Sequence, residues 1–202
     1  MVRVAVLDLG LGNLLSIKRA LERQGAEVSI LSAWDGGTDL PPAIVLPGVG
    51  AFRDGISALS RFKGAIEMAK GGGVTVLGIC LGMQLLLSKS YEGGEYEGLN
   101  LIKGEVVKLP PSVKVPHMGW NSIRILKRSP ITDGVADGEF FYFVHSYHCA
   151  LQEDVAIAET EYGTKVVAMV EKRNIFGTQF HPEKSGAAGA RIIRNFLEVS
   201  RR

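Results

Sequence analysis

Cys80, His181 and Glu183 have the chemical types that a thiol nucleophile, its base and an orienting carboxylate require. Cys80 stands in "GICLG", where the strand-like run "VTVLGI" gives way to the helical-looking "GMQLLLSKS". Gly78 and Gly82 remove side chains that would clash in a sharp strand-to-helix turn, as in a Gly-x-Ser-x-Gly elbow, and such a turn presents the sulfur at the carboxyl edge of a parallel sheet. The start of the following helix would favour the thiolate, and the Leu81 N–H would face a developing oxyanion. A small buried packing residue is the competing reading of Cys80, and the elbow alone does not separate the two. His181 lies in "GTQFHPEKS", where a strand-like run ends at Pro182 and Glu183 follows, so imidazole and carboxylate can share one turn. On its own His181 also reads as a loop histidine, and a separation from position 80 to position 181 says nothing about proximity.

A second glycine loop, "LPGVGAF", carries Gly48, Val49 and Gly50. The two glycines would let the Val49 peptide turn its N–H toward a substrate oxygen, although the same pair also suits an ordinary strand-end turn. Two other clusters invite chemistry. Cys80, His145, His148, Cys149 and His181 suggest a metal site, but strand alternation sets His148 opposite His145 and Cys149, and no Cys-x-x-Cys occurs, so no metal is expected. "GLGNLL", Gly10 to Leu15, has Leu15 where a dinucleotide fingerprint needs its third glycine, so no cofactor is expected.

The elements that must position these groups alternate in the first half. "VRVAVLDL", "EVSIL", "AIVLPGVG" and "VTVLGI" read as strands; Leu14, Ile17 and Leu21 share a helix face ended by Gly25, and Ile56, Leu59 and Phe62 share another. Such alternation predicts a mostly parallel sheet with helices on both faces. From Gly98 the segments "LNLIKGEVVKL", "NSIRIL", "EFFYFVHSYHCA" and "DVAIAETEYGTKVVAMVEKRNIFGTQF" read as strands with a hairpin at "TEYGTKV", an antiparallel extension closed by a helix from Gly189 to Ser200. No repeat or linker divides residues 1–202, so one α/β domain is expected. With 23 Lys plus Arg against 21 Asp plus Glu the net charge is only +2, which disfavours nucleic acid as a partner. No apolar run approaches the ~20 residues of a membrane span and no secretion signal is legible, so a cytoplasmic location is expected, with both cysteines reduced.

Taken in order, "PGVGAF", "GICLGMQLL" and "QFHPEKS" resemble the class I, triad-type glutamine amidotransferases, and the resemblance runs from the first strand to the closing helix. It implies that Cys80 attacks the side-chain amide of glutamine, His181 shuttles the proton and Glu183 orients the imidazole. It also implies an oxyanion hole at Val49 and Leu81, and glutamine contacts from Gly48, Gly50, Gln84, Glu92 and the backbone of His145, Ser146 and Tyr147. Glu92 also reads as a solvated charge. "DLGLGNLLS", "PHMGWN" and "FVHSY" are similar to the branch of glutaminase subunits that serve imidazole glycerol phosphate synthases, whereas anthranilate-type relatives carry histidine at the place of Met83. That branch implies a heterodimer with a separate cyclase subunit in the form of a β/α barrel, docked on Asn13, Met118, Trp120, Tyr142 and Lys184. Met118 and Trp120 otherwise read as core. Docking is expected to turn the Val49 N–H toward the oxyanion, since the glycines ease that rotation. The glutaminase of another synthase and a partner-free thiol hydrolase remain alternatives.

Overall fold

The computed structural model describes residues 1–34, 36 and 39–201. Its first half alternates β1 (Val2–Leu7), α1 (Leu14–Arg23), β2 (Ala26–Leu31), β3 (Ala43–Leu46), α2 (Phe52–Ala58), α3 (Lys63–Lys70), β4 (Thr75–Ile79) and α4 (Leu81–Leu85). Short strands follow: β5 (Lys89–Ser90), β6 (Tyr96–Glu97), β7 (Gly104–Lys108), β8 (His117–Ser122) and β9 (Arg124–Ile125). β10 (Phe140–His145), β11 (Tyr147–Leu151), β12 (Ala156–Glu161), β13 (Lys165–Lys172), β14 (Ile175–Thr178) and α5 (Gly186–Val199) complete the chain.

The main sheet has the order β2-β1-β3-β4-β14-β13-β12-β9. Its first five strands are parallel, and β13, β12 and β9 extend it antiparallel, so the expected α/β class holds. The alternation of β1 shows why both faces need cover. Val2, Val4 and Val6 join one core with Ile17 and Leu21 of α1 and Ile192 and Phe196 of α5; Ala5 and Leu7 join the other with Phe52 of α2 and Ala65, Ile66 and Ala69 of α3. Two smaller sheets, β10-β8 and β11-β7-β5-β6, stand apart from the main sheet's hydrogen-bonding order.

Several expected elements differ. The helix expected to carry Ile56, Leu59 and Phe62 is broken into α2, a tight 3₁₀ turn at Leu59–Phe62 and α3, because a spacing of three fits a 3₁₀ period as well as an α-helical one. The helix after Cys80 is only five residues long, since Leu85, Leu86 and Leu87 are all fully buried and an all-apolar run does not distinguish helix from strand. "EFFYFVHSYHCA" is two strands in two different sheets, parting at Ser146, so the shared parity assigned to His145 and Cys149 does not exist. The segment from Asp154 to Phe180 turns twice, at Gly163 as expected and again at Arg173, which has φ +57°. The closing helix begins at Gly186 rather than Gly189.

Candidate active site

Three adjacent parallel strands, β3, β4 and β14, end on the same edge, and each delivers one part of the site. The glycine loop leaves β3, Cys80 leaves β4 and His181 lies just beyond β14. The Cys80 N–H donates to the Thr178 carbonyl at 2.7 Å, which stitches the elbow to β14 and brings position 181 beside position 80.

The elbow is strained and tightly walled. Cys80 has φ +54° and ψ −107°, a region that side-chain-bearing residues enter at a cost of about 1–3 kcal/mol. A Cβ on Gly78 would lie 2.7 Å from the backbone of Gly82, and one on Gly82 would lie 1.8 Å from the Leu46 carbonyl oxygen. Both glycines are therefore required by close backbone approach. Gly48 plays a similar part, since its Cβ would meet the Leu81 side chain at 3.1 Å, and Gly50 has φ +139°.

His181 is almost fully buried, and its Nδ1 pairs with Glu183 Oε1 at 2.8 Å. Facing a carboxylate, Nδ1 carries the proton, which leaves Nε2 as the atom that can accept one. Nε2 is buried with no hydrogen-bond partner among the described residues. Burial works against charge on this ring, but the Cys80 sulfur and the Glu183 carboxylate outweigh it and hold the imidazole up to about 9. Burial also opposes the charge on Glu183, yet the imidazole and the Asn13 amide keep its carboxyl below the usual range. Asn13 Nδ2 donates to the same oxygen of Glu183 at 2.6 Å, from a left-handed backbone position before α1. The thiol S–H points to the Val144 carbonyl at 3.7 Å, and Gln179 Nε2 donates toward the sulfur at 3.6 Å. Cys149 sits in the opposite core cluster, and burial pushes its thiol far above the ordinary range.

A cavity of about 240 Å³ opens beside the sulfur, lined by Val49, Gly50, Cys80, Leu81, Gln84, Glu92, Val144, His145, Ser146 and Tyr147. Every expected glutamine contact except Gly48 is in that lining. Glu92 is half-buried there and accepts the Phe52 N–H at 2.7 Å through Oε2, which leaves Oε1 for a cation. Gln84 spends its amide N–H groups on the Tyr147 carbonyl at 2.9 Å and on Gln179 Oε1 at 3.1 Å. A larger groove of about 500 Å³ beside α5 holds neither cysteine nor histidine. Among the described residues, no three His, Cys, Asp or Glu side chains converge as a metal site.

The core reading of Met118 and Trp120 is overturned, as the two side chains are 62% and 57% exposed. They alternate along β8 with His117 and Asn121, which turn inward. Trp120 meets Tyr142 edge-on at 6.1 Å, Lys184 Nζ lies 5.9 Å from the Tyr142 ring, and exposed Phe140 continues the patch. The sequence reading missed Phe140, Gln179 and the Val144 carbonyl. Gln179 could have been noticed as a lone amide inside the apolar run "IFGTQF".

A parallel-edge thiol elbow with a buried imidazole–carboxylate pair defines a class, and the chain belongs to the class-I glutamine amidotransferases, whose family model matches residues 5–199. Among its relatives is the imidazole glycerol phosphate synthase subunit HisH of Archaeoglobus fulgidus, 47% identical over 98% of this chain and 100% of the relative. HisH of Halobacterium salinarum is 49% identical over 96% of this chain and 92% of its own length. Two solved structures share the fold: a glutamine amidotransferase with a TM-score of 0.76 at 20% identity, covering 98% of this chain and 99% of that one, and PurLQS from Thermotoga maritima with 0.75 at 23%, again covering 98% and 99%.

Proposed function

We propose that the chain is one glutamine amidotransferase unit that releases ammonia from glutamine and hands it to a separate synthase subunit, the cyclase that makes imidazole glycerol phosphate. The arrangement that carries this reading is the strained Cys80 elbow beside the buried His181–Glu183 pair, whose imidazole, held up to about 9, is basic enough to take the thiol proton and keep it on Nε2. Nε2 accepts the thiol proton as sulfur attacks the side-chain amide carbon of glutamine. The oxyanion is held by the Leu81 N–H and by the Val49 N–H once that peptide turns. The imidazolium then protonates the leaving nitrogen, the C–N bond breaks and ammonia departs from a thioester. Water, deprotonated by the same Nε2, cleaves the thioester to glutamate and restores the thiol. Glu92 Oε1 and the Gln84 oxygen suit the α-ammonium of the substrate, and N–H groups of Gly50, Ser146 and Tyr147 suit its α-carboxylate.

Two things support the partner. The relatives are named as subunits of a synthase, and Met118, Trp120, Phe140 and Tyr142 form an apolar patch beside the site, with Lys184 at its rim. We assign that patch, together with Asn13, to the docking of a β/α-barrel subunit in a heterodimer. The patch disfavours the partner-free hydrolase.

The test is ammonia release from glutamine. It should be low for the chain alone and rise at least ~10²-fold with the cyclase and its acceptor, the typical worth of one oxyanion donor. Full turnover by the isolated chain would transfer the assignment to a partner-free hydrolase.

A further inference from the structure

A chain of buried and partly buried hydrogen bonds that the ammonia-releasing chemistry does not use runs from β8 to the cavity wall. Asn121 Nδ2 lies 3.3 Å from His117 Nε2, His117 Nδ1 lies 2.9 Å from His145 Nε2, and His145 Nδ1 lies 2.9 Å from the Tyr147 carbonyl. The last contact fixes the sense of all the others. A carbonyl only accepts, so His145 Nδ1 must carry hydrogen. Burial pulls the His145 imidazole down to about 3 and His117 down to about 4, so both rings are neutral near neutrality and each holds one N–H. His145 Nε2 is then an acceptor, His117 must donate from Nδ1, and His117 Nε2 must accept from the Asn121 amide. That amide also donates to the Glu161 carbonyl at 3.0 Å, which settles which end of Asn121 is nitrogen. One proton arrangement alone satisfies both rings, and each hydrogen linking Asn121, His117, His145 and Tyr147 points toward Tyr147.

Packing holds the rings in this sense. His117 is stacked between Phe143 at 4.8 Å and Tyr162 at 4.0 Å, and it meets His145 edge-on. Tyr147 follows the point where the chain leaves the β10-β8 sheet for the β11-β7 sheet, and the Leu109 N–H donates to the Ser146 carbonyl at 3.0 Å. That bond makes Tyr147 and Lys108 a pair without ladder hydrogen bonds, so the Tyr147 carbonyl depends on side chains. It receives two, His145 Nδ1–H and the Gln84 amide.

We infer that His117 and His145 are positioning residues, locked as Nδ1–H tautomers, whose one-way hydrogen-bond chain holds the Ser146–Tyr147 turn in the shape that receives the carboxylate of the substrate. The ligand half of this inference rests on the proposed glutaminase function; the tautomer half does not. Because His117 lies between Pro116 and the exposed Met118, the chain of donors begins on the strand that carries the apolar patch.

Two measurements test it. In ¹⁵N-resolved spectra of the full chain, both rings should show a protonated Nδ1 and a bare Nε2, unchanged from pH 5.5 to 8.5; an Nε2–H form of either ring, or titration of either ring inside that range, overturns the inference. Next, His117→Phe keeps the stacking and removes the donor. With the cyclase and its acceptor present, the KM of this variant for glutamine should rise roughly 5- to 30-fold, as expected for an unsatisfied buried acceptor, while kcat stays within about twofold. His117→Asn, whose amide nitrogen stands near the Nδ1 position, should recover part of the loss. An unchanged KM, or an equal fall in kcat, overturns the positioning role. If the wild-type pair releases no ammonia from glutamine, the functional reading fails, while the spectra still decide the tautomers.

Discussion

Sulfur at position 80 and sulfur at position 149 occupy opposite environments, although burial alone does not tell them apart. Cys80 borders a cavity, an imidazole and a donating amide, whereas burial raises the Cys149 thiol far out of reach of deprotonation. Cys80→Ala should abolish ammonia release, and Cys149→Ala should keep turnover within about twofold. Activity surviving in both variants would move the nucleophile elsewhere. Glu183 carries a prediction about pH. The imidazole raised from 6.5 to about 9 contributes stability that is complete below about 6.5 and fades as pH climbs through about 9. The lowered Glu183 carboxyl contributes stability present above about 4.5 and lost as pH falls through its depressed value. Glu183→Gln should therefore lower Tm most between about pH 5 and 7 and least near pH 10, and it should reduce kcat more than it raises KM. A uniform Tm loss across that range would refute the pairing, and an effect confined to KM would make Glu183 a substrate contact.

At the scale of elements, the elbow depends on backbone surfaces that touch. Gly82→Ala places a Cβ 1.8 Å from the Leu46 carbonyl, and neither backbone can yield, so the variant should lose at least about 3 kcal/mol in urea unfolding. Gly10→Ala is the control. Gly10 has φ +72° but open space around it, so the cost should be about 1 kcal/mol. Equal losses would mean that dihedral strain, not contact, explains the elbow. The triad was legible only in combination: Cys80 between its glycines also reads as packing and His181 as a loop histidine, and it is "PGVGAF", "GICLGMQLL" and "QFHPEKS" in one order that joins them. The break at Ser146 was not legible. Alternation of side chains is the same on both sides of it, and a change of pairing partner leaves no local mark. Asn13 was read only as a docking residue, since its bond to Glu183 crosses 170 positions. The chain of Asn121, His117 and His145 was invisible for the same reason: two strands had to be placed in register before the rings could meet.

For the whole molecule, the apolar patch and the cavity meet on one narrow two-stranded sheet: β10 carries Phe140 and Tyr142 of the patch and ends in Val144 and His145 of the cavity lining. Trp120 is a large exposed side chain that rests only partly on Tyr142, and large aromatic anchors dominate protein interfaces. Trp120→Ala should weaken association with the synthase subunit by at least tenfold while leaving the thermal unfolding of the free chain within about 2 °C of wild type. Loss of folding in the free variant would return Trp120 to the core.

The narrow sheet has a further consequence. Two alternate carbonyls of β10 face the elbow: Tyr142 O accepts the His181 N–H at 2.9 Å, and Val144 O accepts the Cys80 thiol at 3.7 Å. Alternate residues of a strand are set about 6.8 Å apart by peptide geometry. β10 is thus a ruler laid across the site, and the spacing between the His181 backbone and the Cys80 sulfur is graduated in peptide units. Whatever grips the outer side of this strand grips the scale itself. A slip of one residue against β8 would put the wrong marks opposite both groups at once.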